Sequence, residues 1–200
     1  MCSRRSAFPC RQSSSRRGFA AYSRRWHPPR YHRDMPNYRR HYLALPVFVT
    51  LVTHGRAGWL NGDRVEDVLV AMRGVKLNYP FRHIAHVILP DHIHWLFEPE
   101  ADTNFSKLVS AVKREVTWRM KAQGREGPFW QNRFYDHLIR EEADLQAHLD
   151  YIHFNPVKHG HCKRAADWPH SSFKSWLARG AYTSDWGVAE PGNLIGMNLE

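Results

Sequence analysis

From Leu45 onward the hydrophobic and polar positions repeat with a period of about two residues in some stretches and about 3.6 in others, and the changes of period mark the elements. "LPVFVTLVT", Leu45 to Thr53, is β-branched and aromatic with no acid or base, which predicts a buried central strand. "HGRAGWLNGD" then supplies loop chemistry, with Asn61 or Asp63 placed to cap the next element. Val65, Val68, Leu69, Met72 and Val75 or Lys76 recur at helical spacing, so Arg64 to Asn78 reads as an amphipathic helix that Pro80 stops. "FRHIAHVIL" and "HIHWLFEP" are two strands separated only by Pro90 and Asp91, a hairpin or one bent ribbon. Phe105, Leu108, Val109, Val112 and Val116 mark a second helix, with Asp102 or Thr103 as its cap and Gly124 at its end. "RFYDHLIR", Arg133 to Arg140, is a fourth strand, and "EEADLQAHLDYIHFNPVKHG" is a third helix stopped by Pro156 and Gly160.

The order β α β β α β α predicts an α+β fold of the ferredoxin-like (split βαβ) kind. Two crossover helices pack on one face of an antiparallel sheet, and an additional helix follows the fourth strand. Such a fold hosts many functions, so the chemistry has to be found in its side chains.

Candidate chemistry sits in "VILPDHIHWLFEPE". Side chains alternate along a strand, so His92, His94 and Leu96 share one face while Ile93, Trp95 and Phe97 share the other. Two imidazoles about 7 Å apart on one face can converge on a divalent cation. They can equally be hydrogen-bonded residues in a chain that holds 14 His. The last helix adds a second pair. Its core stripe is Leu145, Leu149 and Ile152, while Tyr151 and Asn155 lie one turn apart on a flank with His148 nearby, so a tyrosine and an amide can face the same ion or substrate.

A hydrophobic residue between two strand histidines, followed some fifty to sixty residues later by a helical tyrosine, resembles the single-tyrosine HUH nucleases. "MPNYRR", "LPDHIHWLF", "FWQNRFYDHLIR", "YIHFNPVKHG" and "DWPHSSFKSW" with a following "DWG" are similar, in order, to one branch, the REP-associated tyrosine transposases, over about Met35 to Gly187. The resemblance implies that His92 and His94 are metal ligands, that Tyr151 is the nucleophile, and that Asn155 stands where related transposases carry a Gln as third ligand. Asn is one methylene shorter than that Gln. The implied substrate is a palindromic extragenic repeat folded as a hairpin, cut or joined as single-stranded DNA.

The chemistry is coherent on its own terms. A tyrosine near pKa 10 is a poor nucleophile at neutral pH, and a divalent metal on the scissile phosphate offsets that. Mixed nitrogen and oxygen ligands leave Mg²⁺ and Mn²⁺ both open. Attack by Tyr151 would leave a 5′-phosphotyrosine and a free 3′-OH, storing the broken bond for rejoining. Arg114, Arg119, Lys121 and Arg133, interleaved with Trp118, Trp130, Phe134 and Tyr135, make a basic-aromatic segment suited to single-stranded DNA, although Trp and Phe in a domain of this size are usually core. Two other readings remain open: a non-catalytic nucleic-acid-binding protein on the same fold, and a metal-dependent hydrolase that activates water. The oligomeric expectation is monomer or homodimer.

Composition changes the picture mainly at the N-terminus. The net charge of +10 is carried by residues 1 to 42, which hold eleven Arg and one acid, while residues 43 to 200 hold eighteen bases and eighteen acids. Residues 1–34 are rich in Arg, Ser and Pro and are expected to be disordered alone. They read as a basic DNA arm, as a translated segment upstream of a start at Met35, or as a transit peptide. Residues 35–160 are expected to form the catalytic domain and 161–200 an aromatic tail, with Trp168, Phe173, Trp176 and Trp186 packed on the body. Three cysteines without metal-ligand spacing, no apolar run long enough for a membrane and no secretory signal predict a soluble protein of the bacterial cytoplasm.

Overall fold

In a computed structural model, which describes residues 45–100, 102–197 and 199, the sheet is built outward from β1 (Val47–Val52). β2 (Phe81–Ile88) and β3 (His92–Pro99) form a hairpin, closed by a hydrogen bond from Leu89 N to His92 O. β4 (Tyr135–Leu138) is shorter than the eight-residue strand the sequence suggests, because only these four residues find partners on β1. The spatial order is β2-β3-β1-β4, antiparallel throughout, which is the ferredoxin-like arrangement.

Strand alternation sends successive residues of β1 and β3 into different cores. Val47, Val49 and Leu51 of β1, with Ile93, Trp95 and Phe97 of β3, pack under α1 (Asp63–Val75) and α2 (Phe105–Ala122). Phe48 and Leu96 point the other way, into a second core formed with α3 (Glu142–Lys158) and the chain that follows it. His92 and His94 belong to that second face.

Several boundaries differ from those the sequence suggests. α1 begins after Gly62, and Asn61 hydrogen-bonds the Arg64 side chain instead of capping; α1 closes at Val75, five residues before Pro80. α2 is capped by Asn104, whose Oδ1 accepts from Lys107 N, in place of Asp102 or Thr103. α3 does not stop at Pro156. A proline in the last turn deletes one backbone bond, and the helix continues to Lys158, where Gly160 at φ 70 ends it with His161 N bonded to Pro156 O and Gly160 N to Val157 O.

The chain after α3 folds back over it and along β2, the sheet's outer strand. Trp168 and Trp176 donate their indole N–H groups to Ile88 O and Ile84 O, and Ile88 N and Ser172 N bond to His170 O and His86 O. These contacts satisfy an edge that would otherwise be open to another strand. A short helix, α4 (Phe173–Ala178), which the sequence does not announce, buries Phe173 and Trp176. α3 therefore lies between sheet and tail and is buried on both sides from His148 to Pro156, so Tyr151 and Asn155 are interior residues and not flank residues. Residues 1–34 and the "MPNYRR" segment lie outside the described residues. No described helix is long and apolar enough to cross a membrane.

Candidate active site

β3 and α3 bring His92, His94, Tyr151 and Asn155 together. The two imidazole centroids are 4.7 Å apart, the Tyr151 ring lies 5.2 Å from that of His94, and Asn155 Oδ1 is 3.2 Å from His92 Nε2. All four residues are buried. One helical turn separates Tyr151 from Asn155, and the register of β3 against β1 sets Thr50 opposite His94 and Val52 opposite His92.

Hydrogen bonds at the far ring nitrogens fix which nitrogen each histidine can offer. His92 Nδ1 donates to Asp91 Oδ1 at 2.7 Å, and Asp91 is held in turn by Arg56 at 2.9 Å. These partners keep the Asp91 carboxyl below its ordinary range against the opposing effect of its partial burial. Thr50 Oγ1 gives its one proton to Leu199 O at 3.1 Å, so it accepts from His94 Nδ1 at 3.0 Å. The Nε2 atom of each ring is then the one turned away from these bonds, and that of His92 lies against Asn155. Among the described residues His94 Nε2 has no hydrogen-bond partner, nor has Asn155 Nδ2. Burial, reinforced by the neighbouring basic groups, holds the His94 pKa well below the usual imidazole value, so its ring stays neutral.

An orphaned imidazole nitrogen and an imidazole facing an amide oxygen fit a divalent cation. The Asn155 amide lies 3.2 Å from His92 Nε2, and each ring is oriented by a second hydrogen bond, as metal-binding histidines are. A different trio also brings ligand atoms within 4.8 Å of one another: His137, Asp144 and His148. Here both imidazoles bond the Asp144 carboxylate at 2.9 Å and stack at 4.6 Å with planes only 8° apart. The lone pairs of parallel rings run alongside each other instead of converging, so this group is a clamp between β4 and α3 in preference to a metal centre. Its two bonds pull the Asp144 carboxyl far below its usual range, overcoming burial.

The IS200-like transposase family matches residues 41–155, a span that ends on Asn155. A REP-associated tyrosine transposase of Haemophilus influenzae is 38% identical over 165 residues, covering 76% of this chain and 94% of that protein. One of Escherichia coli is 38% identical over 154 residues, covering 76% and 91%. The chain belongs to the REP-associated tyrosine transposases, within the IS200-like family. It is thus a single-tyrosine HUH transposase, a DNA-processing enzyme. A solved REP-associated tyrosine transposase bound to a REP hairpin superposes with a TM-score of 0.67 at 36% identity, covering 80% of this chain and 96% of that one.

Within this transposase the basic-aromatic segment divides. Arg133 and Tyr135 line, with Thr50, Val52, Gln131 and Phe134, a groove of about 290 Å³ beside the histidines. Arg114 and Lys121 are exposed on α2, beyond the opposite face of the sheet. Arg119 is engaged by Glu115 and Asp67. Trp130 is only 7% exposed and packs edge-on to Trp59 in the core, so the base-stacking expected of it is closed off; Trp118, 65% exposed, is open. Tyr135 is 44% exposed and stands one residue removed from His94, behind Phe48 and Thr50, and burial together with Asp136 and Asp144 raises its pKa, which disfavours the nucleophilic phenolate.

Sequence reasoning missed four neighbours of the site. Thr50 and Asp91 orient the histidines, His159 lies 5.2 Å from His92 ring to ring, and Lys158 Nζ stands 3.2 Å from the Tyr151 hydroxyl. The available signals were a lone hydroxyl in an apolar strand, an acid immediately before His92, and a lysine seven residues after Tyr151.

Proposed function

We propose that this transposase is a metal-dependent endonuclease and strand transferase that cuts and rejoins single-stranded DNA beside a palindromic hairpin, through a 5′-phosphotyrosine on Tyr151. The observation that carries the reading is the buried, unpartnered Nε2 of His94 on a ring 4.7 Å from that of His92, which meets Asn155, and 5.2 Å from that of Tyr151. His92, His94 and Asn155 would hold the cation, Mn²⁺ ahead of Mg²⁺ because two of the three ligands are imidazoles. When bound, such a cation neutralises phosphate charge and stabilises the departing 3′ oxygen.

The chain's own groups account for the rest. Tyr151 oxygen forms a bond to phosphorus as the bond from phosphorus to the 3′ oxygen breaks; the phenolic proton leaves to solvent, and solvent protonates the departing 3′ oxygen. The products are a tyrosine ester of the 5′ phosphate and a free 3′-OH. Rejoining reverses the step without a nucleotide cofactor, because the ester conserves the bond. The neighbouring groove suits an unpaired nucleotide, with the Tyr135 ring for a base and Arg133 for a phosphate. The solved relative held on a REP hairpin supports the same substrate class here. The protein would work as a monomer or homodimer in the bacterial cytoplasm.

Incubation of the protein and Mn²⁺ with an end-labelled hairpin carrying a single-stranded tail tests this. An adduct that survives SDS and runs with the protein is the expected result. Cleavage with free 5′ ends would favour activated water instead, and metal-independent binding without cleavage would reduce the protein to a binding module.

A further inference from the structure

α3 continues past Pro156, and this keeps Lys158 on the helix that carries the nucleophile. Residues seven apart on an α-helix share a face, about 10.5 Å apart along the axis, a gap that two long side chains can close between them. They do so here. Lys158 Nζ donates to the Tyr151 hydroxyl oxygen at 3.2 Å and lies 4.9 Å from the centre of its ring. Leu199 N approaches the same oxygen at 3.4 Å. The atom that has to attack phosphorus is thus contacted by a cation, on a helix end held in place by Gly160 at positive φ and the bonds from Gly160 N and His161 N.

We propose that Lys158 is a catalytic residue whose ammonium group stabilises the negative charge on the Tyr151 oxygen, both as it attacks and as it leaves. This rests on the reading of Tyr151 as nucleophile. In cleavage, the bond from Tyr151 oxygen to phosphorus forms while the bond from phosphorus to the 3′ oxygen breaks; Lys158 stays protonated and accepts no proton, the phenolic proton goes to solvent, and solvent protonates the departing 3′ oxygen. In rejoining, the 3′-OH attacks phosphorus and gives its proton to solvent. The Tyr151 oxygen then departs with its charge against the same ammonium, before solvent reprotonates it. One group serves both directions, so its loss has to slow both.

The alternative for a lysine at this place is a contact to the DNA phosphate. Such a contact would show in affinity, with a smaller salt slope, and would spare the rate at saturating DNA. A charge aimed at the tyrosine oxygen shows in the rate at saturation and leaves affinity alone.

The test compares wild type, Lys158→Met and Lys158→Arg on the tailed hairpin with Mn²⁺, measuring hairpin affinity, the rate of adduct formation at saturating DNA, and the rate at which isolated adduct rejoins an added 3′-OH strand. Lys158→Met is expected to lose roughly 10- to 100-fold in both rates, by similar factors, with hairpin affinity within about twofold of wild type. Lys158→Arg, which keeps the charge, is expected to recover part of both. Unchanged rates in Lys158→Met, a defect confined to affinity, or equal losses in Met and Arg would each overturn the assignment while leaving the wild-type adduct, and with it the nucleophile, intact. A wild-type protein that forms no adduct overturns both.

Discussion

A histidine ligates only through a nitrogen that carries no proton, so the hydrogen bonds at His92 Nδ1 and His94 Nδ1 matter as much as the rings themselves. Replacing either imidazole should show this directly. If they are the ligands proposed, His92→Ala and His94→Ala are each expected to lower adduct formation by at least about 100-fold while retaining hairpin binding. Asn155→Ala should cost less than either, because water can stand in for an amide oxygen. Equal losses in all three would make Asn155 indispensable. One shell further out, Asp91→Ala frees the His92 ring and should weaken Mn²⁺ binding, measured by calorimetry without DNA, by roughly 10- to 100-fold; unchanged affinity would remove Asp91 from the site. At this scale the sequence speaks through alternation and helical spacing. Strand and helix periods pair His92 with His94 and Tyr151 with Asn155, but it is the resemblance to the REP-associated tyrosine transposases that joins the two pairs. Thr50 and Asp91 are not legible, because their roles depend on the register of β1 against β3 and on a turn whose geometry no periodicity reports. Lys158 was hidden by Pro156, which by propensity alone reads as a helix stop.

Among the elements, α3 depends on the chain that follows it. Tyr182 donates its hydroxyl proton to Asp150 at 2.8 Å and so accepts from His153 Nδ1 at 3.1 Å, while His153 Nε2 meets Ser172 Oγ at 2.9 Å. Asn193 and Gln146 also bond Asp150. Asp150 and His153 flank Tyr151 in sequence, so this buried network fixes the rotation of α3 and with it the direction of the tyrosine. Burial lowers the His153 pKa to about 3, with smaller contributions from His86 and His83. The unfolded chain takes up this proton near pH 6.5 and the folded one only near 3, so the stability tied to neutral His153 is complete above about 6.5 and declines as pH falls toward 3. Between pH 6.5 and 5 that amounts to about 2 kcal/mol. Asp150, raised by its burial despite three hydrogen bonds, acts with the opposite sign, so the comparison has to be made against His153→Gln. Denaturant unfolding of that variant should show a shallower loss between pH 6.5 and 5, whereas parallel curves would mean that His153 is not the group responsible. The strand and helix order was legible in the sequence because each element keeps one clear period. α3 was the exception in its burial: covered on two sides, it follows a single-face pattern only in part, and its second partner, α4 with its aromatic neighbours, has no period to read.

At the scale of the whole molecule, charge is segregated. The net +10 belongs to residues 1–42, and the balanced remainder holds the family match almost entirely and the whole of the described site. A protein beginning at Met35 is therefore expected to keep its rate of adduct formation at saturating DNA. Its non-specific affinity should fall at low salt, with a smaller salt slope, if the Arg residues of the leader touch phosphates. A truncated protein that melts normally but no longer cuts would make the leader part of the active enzyme. The central claim, however, turns on one oxygen atom. Two tyrosines border the site: Tyr151, buried against His94 with Lys158 at its hydroxyl, and Tyr135, exposed and one ring removed behind Phe48. The decisive measurement is proteolysis of the Mn²⁺-dependent adduct and mass mapping of the nucleotide-bearing peptide, with Tyr151→Phe and Tyr135→Phe carried alongside. The structure predicts the nucleotide on Tyr151, no adduct from Tyr151→Phe despite normal folding and hairpin binding, and a retained adduct from Tyr135→Phe. A nucleotide on Tyr135, or an undiminished adduct from Tyr151→Phe, would contradict the account.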